Sequence, residues 1–134
     1  MQAKLAVEGD RSGAKLNLSL TNESGEALTV YRHALPWVGS SSILLIAAQT
    51  DRPGTLLEKT LPVDDPGPEQ VTIAPGVTVS GTIALPQRFP GFEEALRSRD
   101  VVVFWSYQCV TVAGQTLPRT SGAVLFPVTG TGTA

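Results

Sequence analysis

The segment 16–30, LNLSLTNESGEALTV, constrains the fold most, because two runs of alternating apolar and polar residues flank the turn-forming stretch Asn22-Glu23-Ser24-Gly25. In an extended chain Leu16, Leu18 and Leu20 share one side while Asn17, Ser19 and Thr21 share the other, so one face is buried and one is wet. This pattern predicts a β-hairpin, with strands over 14–20 and 27–33. The same alternation returns over nine residues at 77–85, VTVSGTIAL, after the turn Ala74-Pro75-Gly76. Two stretches differ. Residues 43–48, ILLIAA, are apolar at consecutive positions and predict a strand buried on both faces; 101–110 starts almost continuously apolar and predicts a central strand.

Further strands are expected at 3–8, at 71–73, at 122–128 (paired with 101–110 across Ala113-Gly114-Gln115) and, as a short edge strand, at 56–61. Pro36 removes the segment Ala34-Leu35-Pro36-Trp37 from the sheet, because proline cannot donate to a ladder. Only 92–97, FEEALR, has helical character, placing Phe92, Ala95 and Leu96 on one face. Few helix formers, 13 Gly, 10 Pro and only 16% charged residues agree with an all-β class. The expected architecture is a two-sheet antiparallel immunoglobulin-like sandwich of seven or eight strands with one short helical turn near 92–97. One domain over 1–128 and a flexible tail over 129–134 complete the expectation.

Trp105-Ser106-Tyr107-Gln108-Cys109 places a Tyr two residues before a Cys on the strand after the helical crossover, which resembles immunoglobulin-like domains. No Cys partner occurs in the opposing strand. The Asn-containing turn of LNLSLTNESGEALTV, the Leu35-Pro36-Trp37 exit and the Pro-Gly turn into APGVTVSGTIAL also resemble the β-sandwich module preceding deuterolysin-like (aspzincin) metallopeptidase domains. The outline is similar, too, to small bacterial intracellular proteinase inhibitors. These resemblances imply a propeptide-like or inhibitory module; the His-Glu-x-x-His zinc motif is absent, so no peptidase activity carries over.

A formal net charge of −2, with Arg and Lys scattered singly, argues against a nucleic-acid footprint. The longest apolar run is too short to span a bilayer, and no signal-peptide pattern opens the chain, so a soluble, cytoplasmic protein is expected. A single cysteine, Cys109, forms no internal disulfide. A His33–Cys109 nucleophilic pair is conceivable. However, His33 reads as a surface residue where its strand leaves the sheet, and Cys109 as a small buried hydrophobe. Asp64-Asp65 lacks calcium-loop spacing, Glu93-Glu94 diverge on a helical turn, and 9–13 is a tight turn not followed by a helix. No catalytic residue, metal ligand or cofactor is expected.

What remains is aromatic. Trp37, Phe89 and Phe92, rimmed by Arg88 and Arg52, are candidate anchors for a protein partner on loops of a rigid scaffold. The expected function is a non-enzymatic protein-binding module; in its protease-inhibitor form, loop 34–42 or 87–92 enters a cleft. The alternatives are an enzyme or small-ligand site built at the loop ends from residues such as His33, Asp64, Tyr107 and Arg119, or a homodimer paired through edge strand 56–61. Monomer and homodimer both stay open.

Overall fold

The computed structural model describes residues 2–38, 42–60 and 67–129. The strands are β1 (Ala3–Asp10), β2 (Lys15–Asn22), β3 (Leu28–Tyr31), β4 (Ile43–Gln49), β5 (Gln70–Ile73), β6 (Thr78–Ala84), β7 (Val101–Tyr107) and β8 (Thr120–Phe126). A 3₁₀ turn at Arg32–Ala34 follows β3, and helices α1 (Leu85–Arg88) and α2 (Phe92–Ser98) join β6 to β7. All pairings are antiparallel, in sheets ordered β1-β2-β6, β3-β5 and β4-β7-β8. The class is all-β. The tail beyond residue 129 and the pair Asp64-Asp65 lie outside the described residues.

The 16–30 segment does not close as a hairpin. Both sides of β2 are taken, by β1 and by β6, and β3 pairs with β5 instead. Asn22 explains the diversion. It is fully buried, its amide nitrogen donates to the carbonyls of Glu26 (2.7 Å) and Ile73 (2.9 Å), and its side-chain oxygen accepts from the Ser24 amide. Its backbone joins the turn before β6, donating to Val77 O and accepting from Gly76 N. That turn runs Ala74-Pro75-Gly76-Val77 with Gly76 at φ +77°, the left-handed position a type II turn requires after its proline. Asn22 therefore fastens the end of β2 to the β5–β6 corner, and the chain runs on into β3, which pairs with β5.

The crossover holds more helix than the sequence indicated. Leu85 is fully buried and Pro86, at the first turn, needs no helical donor, so LPQR closes a short α1 before α2. Conversely, 56–61 is not a strand. Leu56 makes one bridge to Ala48, Leu57 N donates to Ala47 O, and Lys59 Nζ donates to Leu45 O (2.9 Å). The segment lies along the outer side of β4 and covers that edge. Residue 61 itself is outside the described residues.

Buried residues of all three sheets and both helices form one cluster. Leu16, Leu18 and Leu20 from β2 join Leu45 and Ala47 from β4, Val101 and Val103 from β7, and Phe126 from β8. Phe92 from α2 meets Phe126 edge to face, with centroids 5.4 Å apart. Two glycines make room for the tryptophans. Gly81, inward-facing on edge strand β6, has the Trp37 ring on it, and Gly122 on edge strand β8 has the ring of its cross-strand partner Trp105. Either ring occupies the volume a side chain would need.

Candidate functional site

The outer faces of the two three-stranded sheets are built from opposite residues. Across β1-β2-β6 the outward rows are Lys4, Thr21 and Thr78; Ala6, Ser19 and Ser80; Glu8, Asn17 and Thr82. Hydroxyls pair across the strands, Thr21 with Thr78 at 2.7 Å and Ser19 with Ser80 at 3.4 Å. Across β4-β7-β8 the rows are Leu44, Ser106 and Ser121; Ile46, Phe104 and Ala123; Ala48, Val102 and Leu125. The Leu56 bridge extends the last row by one more leucine.

No outward position of these three rows is charged. Leu44 is 51% exposed, Phe104 49%, Leu125 53% and Leu56 56%, so four of the six exposed large apolar residues among those described belong to this face. A groove of about 240 Å³ runs between Leu44, Ile46 and Phe104 and ends on the hydroxyls of Ser106 and Ser121, which bond each other at 3.0 Å. Apolar side chains clustered on one face in this way mark interaction surfaces. The sequence signal was present in ILLIAA and VVVFW, but it was read as burial on both faces for 43–48. The structure leaves Leu44 half-exposed there.

The anchors expected from sequence are arranged differently. Phe89 and Phe92 are 1% and 0% exposed, so neither ring reaches the surface in this structure. They fix the helical crossover in the core, and 87–92 is not an open loop. Trp37 is half-buried against the core over Gly81. Arg88 is partly buried, and its carbonyl accepts from Thr60 N. The four residues do not form one surface patch.

At one end of the molecule a second feature appears. His33, Ala34, Ser42, Gln108, Val110 and Arg119 line a polar depression of about 310 Å³. Tyr107 ties one of these lining residues to β7, its hydroxyl donating to Ala34 O at 2.7 Å. This bond reaches 73 residues back to the 3₁₀ turn. It differs from the local tyrosine corner of immunoglobulin domains, which closes a few residues upstream. Burial, then the neighbouring Cys109, pushes the Tyr107 hydroxyl far above its ordinary value, and burial raises the Cys109 thiol. Neither supplies an anionic nucleophile or base near neutral pH. Of the loop-end set considered from sequence, His33 and Arg119 share the depression, Tyr107 holds its lining residue Ala34, and Asp64 is outside the described residues.

Among the described residues no group of three or more His, Cys, Asp or Glu could hold a metal ion, and no helix is long and apolar enough to cross a membrane. No protein-family model matches the chain, and no curated protein matches it in sequence.

Proposed function

We propose that this chain is a non-enzymatic protein-binding module, an immunoglobulin-like two-sheet sandwich whose contact surface is the outer face of β4-β7-β8. The occupant assigned to that face is a second copy of the chain. Strand order supports the sandwich: β1-β2-β6 corresponds to A-B-E and β4-β7-β8 to C-F-G, with the helical crossover between E and F. The single observation that carries the function is the alignment of half-exposed Leu44, Phe104 and Leu125 across three neighbouring strands.

Self-pairing follows from the charge on this face. A two-fold interface brings a patch against itself, so any fixed charge near the axis meets its own sign. The apolar rows themselves carry none; the nearest cation, Arg119, donates to Ser106 at their end, so the two-fold axis belongs with the Phe104 and Val102 rows, away from it. Size sets the strength. At strand spacings of about 4.8 Å and rises of about 3.3 Å, the face covers roughly 350 Å². A standard complex buries about 800 Å² per partner, so the dimer is a weak, concentration-dependent one.

Sedimentation velocity over a concentration series tests this, with Phe104→Lys on the apolar face and Ser19→Lys on the wet face. A monomer–dimer equilibrium in wild type and Ser19→Lys, abolished in Phe104→Lys, is expected. A wild type that stays monomeric at the highest soluble concentration, or a dimer indifferent to Phe104→Lys, overturns the assignment.

A further inference from the structure

The polar depression beside the 3₁₀ turn borders the Ser106 end of the apolar face without sharing its leucines or Phe104, and we infer that it binds a small carboxylate. Among the described residues its lining holds a guanidinium, Arg119, and an imidazole, His33, and no carboxylate. The ion pairs among the described residues are Lys15–Asp10, Arg32–Glu69 and Arg99–Asp51. Arg119 belongs to none of them.

The guanidinium is nevertheless positioned. Its Nη1 donates to Ser106 Oγ at 2.9 Å and its Nη2 to Gln108 Oε1 at 3.4 Å. Gln108 in turn is held by its own Nε2 donating to Leu117 O at 3.1 Å. Both acceptors on Arg119 are neutral, so its positive charge is oriented and, among the described residues, left uncompensated, with further N–H donors to spare. Across the depression His33 stacks on Tyr31, centroids 5.5 Å apart and planes within 9°. That contact fixes the imidazole plane and leaves its ring nitrogens without a hydrogen-bonding partner among the described residues. The bond from Tyr107 to Ala34 O holds this turn against β7, so the two groups are carried on one rigid frame.

One guanidinium fork matches one planar carboxylate, and a single permanent positive charge balances a monoanion. A phosphate dianion calls for more donors and more charge than this lining offers. The volume, at the low end of the usual range for ligand sites, suits a small acid.

A titration of ¹H–¹⁵N amide shifts with acetate, and separately with inorganic phosphate at matched ionic strength, tests the inference. Acetate is expected to move the Gln108 side-chain amide and the Val110 amide saturably, with affinity falling about tenfold or more in Arg119→Gln. His33→Gln weakens binding less. Arg11→Gln, which removes the same charge from the β1–β2 turn, leaves it unchanged, and Leu125→Thr, at the opposite end of the apolar rows from Ser106, leaves it intact whether or not the chain dimerises. Linear, unsaturable shifts, equal affinity in Arg119→Gln, or tighter binding of phosphate overturn the inference. The amide spectrum itself reports whether each variant is folded.

Discussion

On the outer face of β1-β2-β6 nearly every position is Lys, Glu, Asn, Ser or Thr; on the outer face of β4-β7-β8 the central positions are Leu, Ile, Val, Phe and Ala. Inside, the two sheets are alike, each offering leucines, valines or isoleucines to one shared core and each having an edge-strand glycine covered by an indole, Trp105 of β7 in one and Trp37 from the segment after the 3₁₀ turn in the other. The difference therefore does not arise from folding the core. A sheet with one wet face needs only alternation, whereas half-exposed leucine and phenylalanine on a second face add nothing to the buried cluster. On the function proposed above, they are the contact surface for a second copy.

The sharpest way to break this comparison is to truncate the same residue type on either side of the second sheet's layer. Phe92→Ala removes a fully buried ring packed on Phe126 and is expected to cost about 3–5 kcal/mol. Phe104→Ala, half-exposed, is expected to cost under about 1 kcal/mol in the monomer. Urea denaturation at dilute concentration measures both. Equal costs would mean that Phe104 serves the fold after all.

Next come the glycines. Gly81→Ala and Gly122→Ala each drive a methyl into an indole that rests on the backbone, and each is expected to destabilise by about 1–3 kcal/mol. Similar values in the two sheets support their inner equivalence. Tryptophan fluorescence shows which ring is displaced.

Tyr107→Phe follows, at about 1 kcal/mol at neutral pH for the lost bond to Ala34 O. It also alters the alkaline limb. Folding holds the Cys109 thiol and the Tyr107 phenol protonated above their ordinary values of 9.0 and 10.0. The unfolded chain then releases protons that the folded chain keeps, so stability falls as pH rises past about 9. Tyr107→Phe is expected to flatten the part of this fall that begins near 10, leaving the thiol's share.

The smallest effect lies on the wet face. Thr78→Val removes an exposed hydroxyl pair and is expected to change stability by no more than about 0.5 kcal/mol and association not at all. Leu125→Thr on the other face is expected to be similarly mild for stability while weakening self-association in sedimentation. That pair of exchanges isolates the outer faces from the core.

Much of this was legible in the sequence. Alternation in LNLSL and VTVSGTIAL located β2 and β6 and their inward residues, the apolar start of 101–110 marked a central strand, and FEEALR marked α2. Partner choice was not legible. Asn22 reads as a turn residue by type, yet it is buried and ties β2 to the β5–β6 corner, a contact 51 residues away. The burial of Phe92 with Leu96 follows from their shared helical face, but that of Phe89 was not visible, since Pro90-Gly91 beside it signals a turn while the packing of α1 decides its burial. The apolar face was hidden for a related reason. A run such as ILLIAA reads the same whether its second face is covered by this chain or left for another molecule.

Dilution of ¹⁵N-labelled protein from millimolar to low-micromolar concentration, followed by amide shifts, tests the central claim most directly. The account predicts concentration-dependent shifts at the amides of β4, β7 and β8 around Leu44, Phe104 and Leu125, with β1, β2 and β6 unmoved. Shifts centred on the Ser and Thr rows of β1-β2-β6, or none anywhere while the apolar face stays exposed, would contradict it.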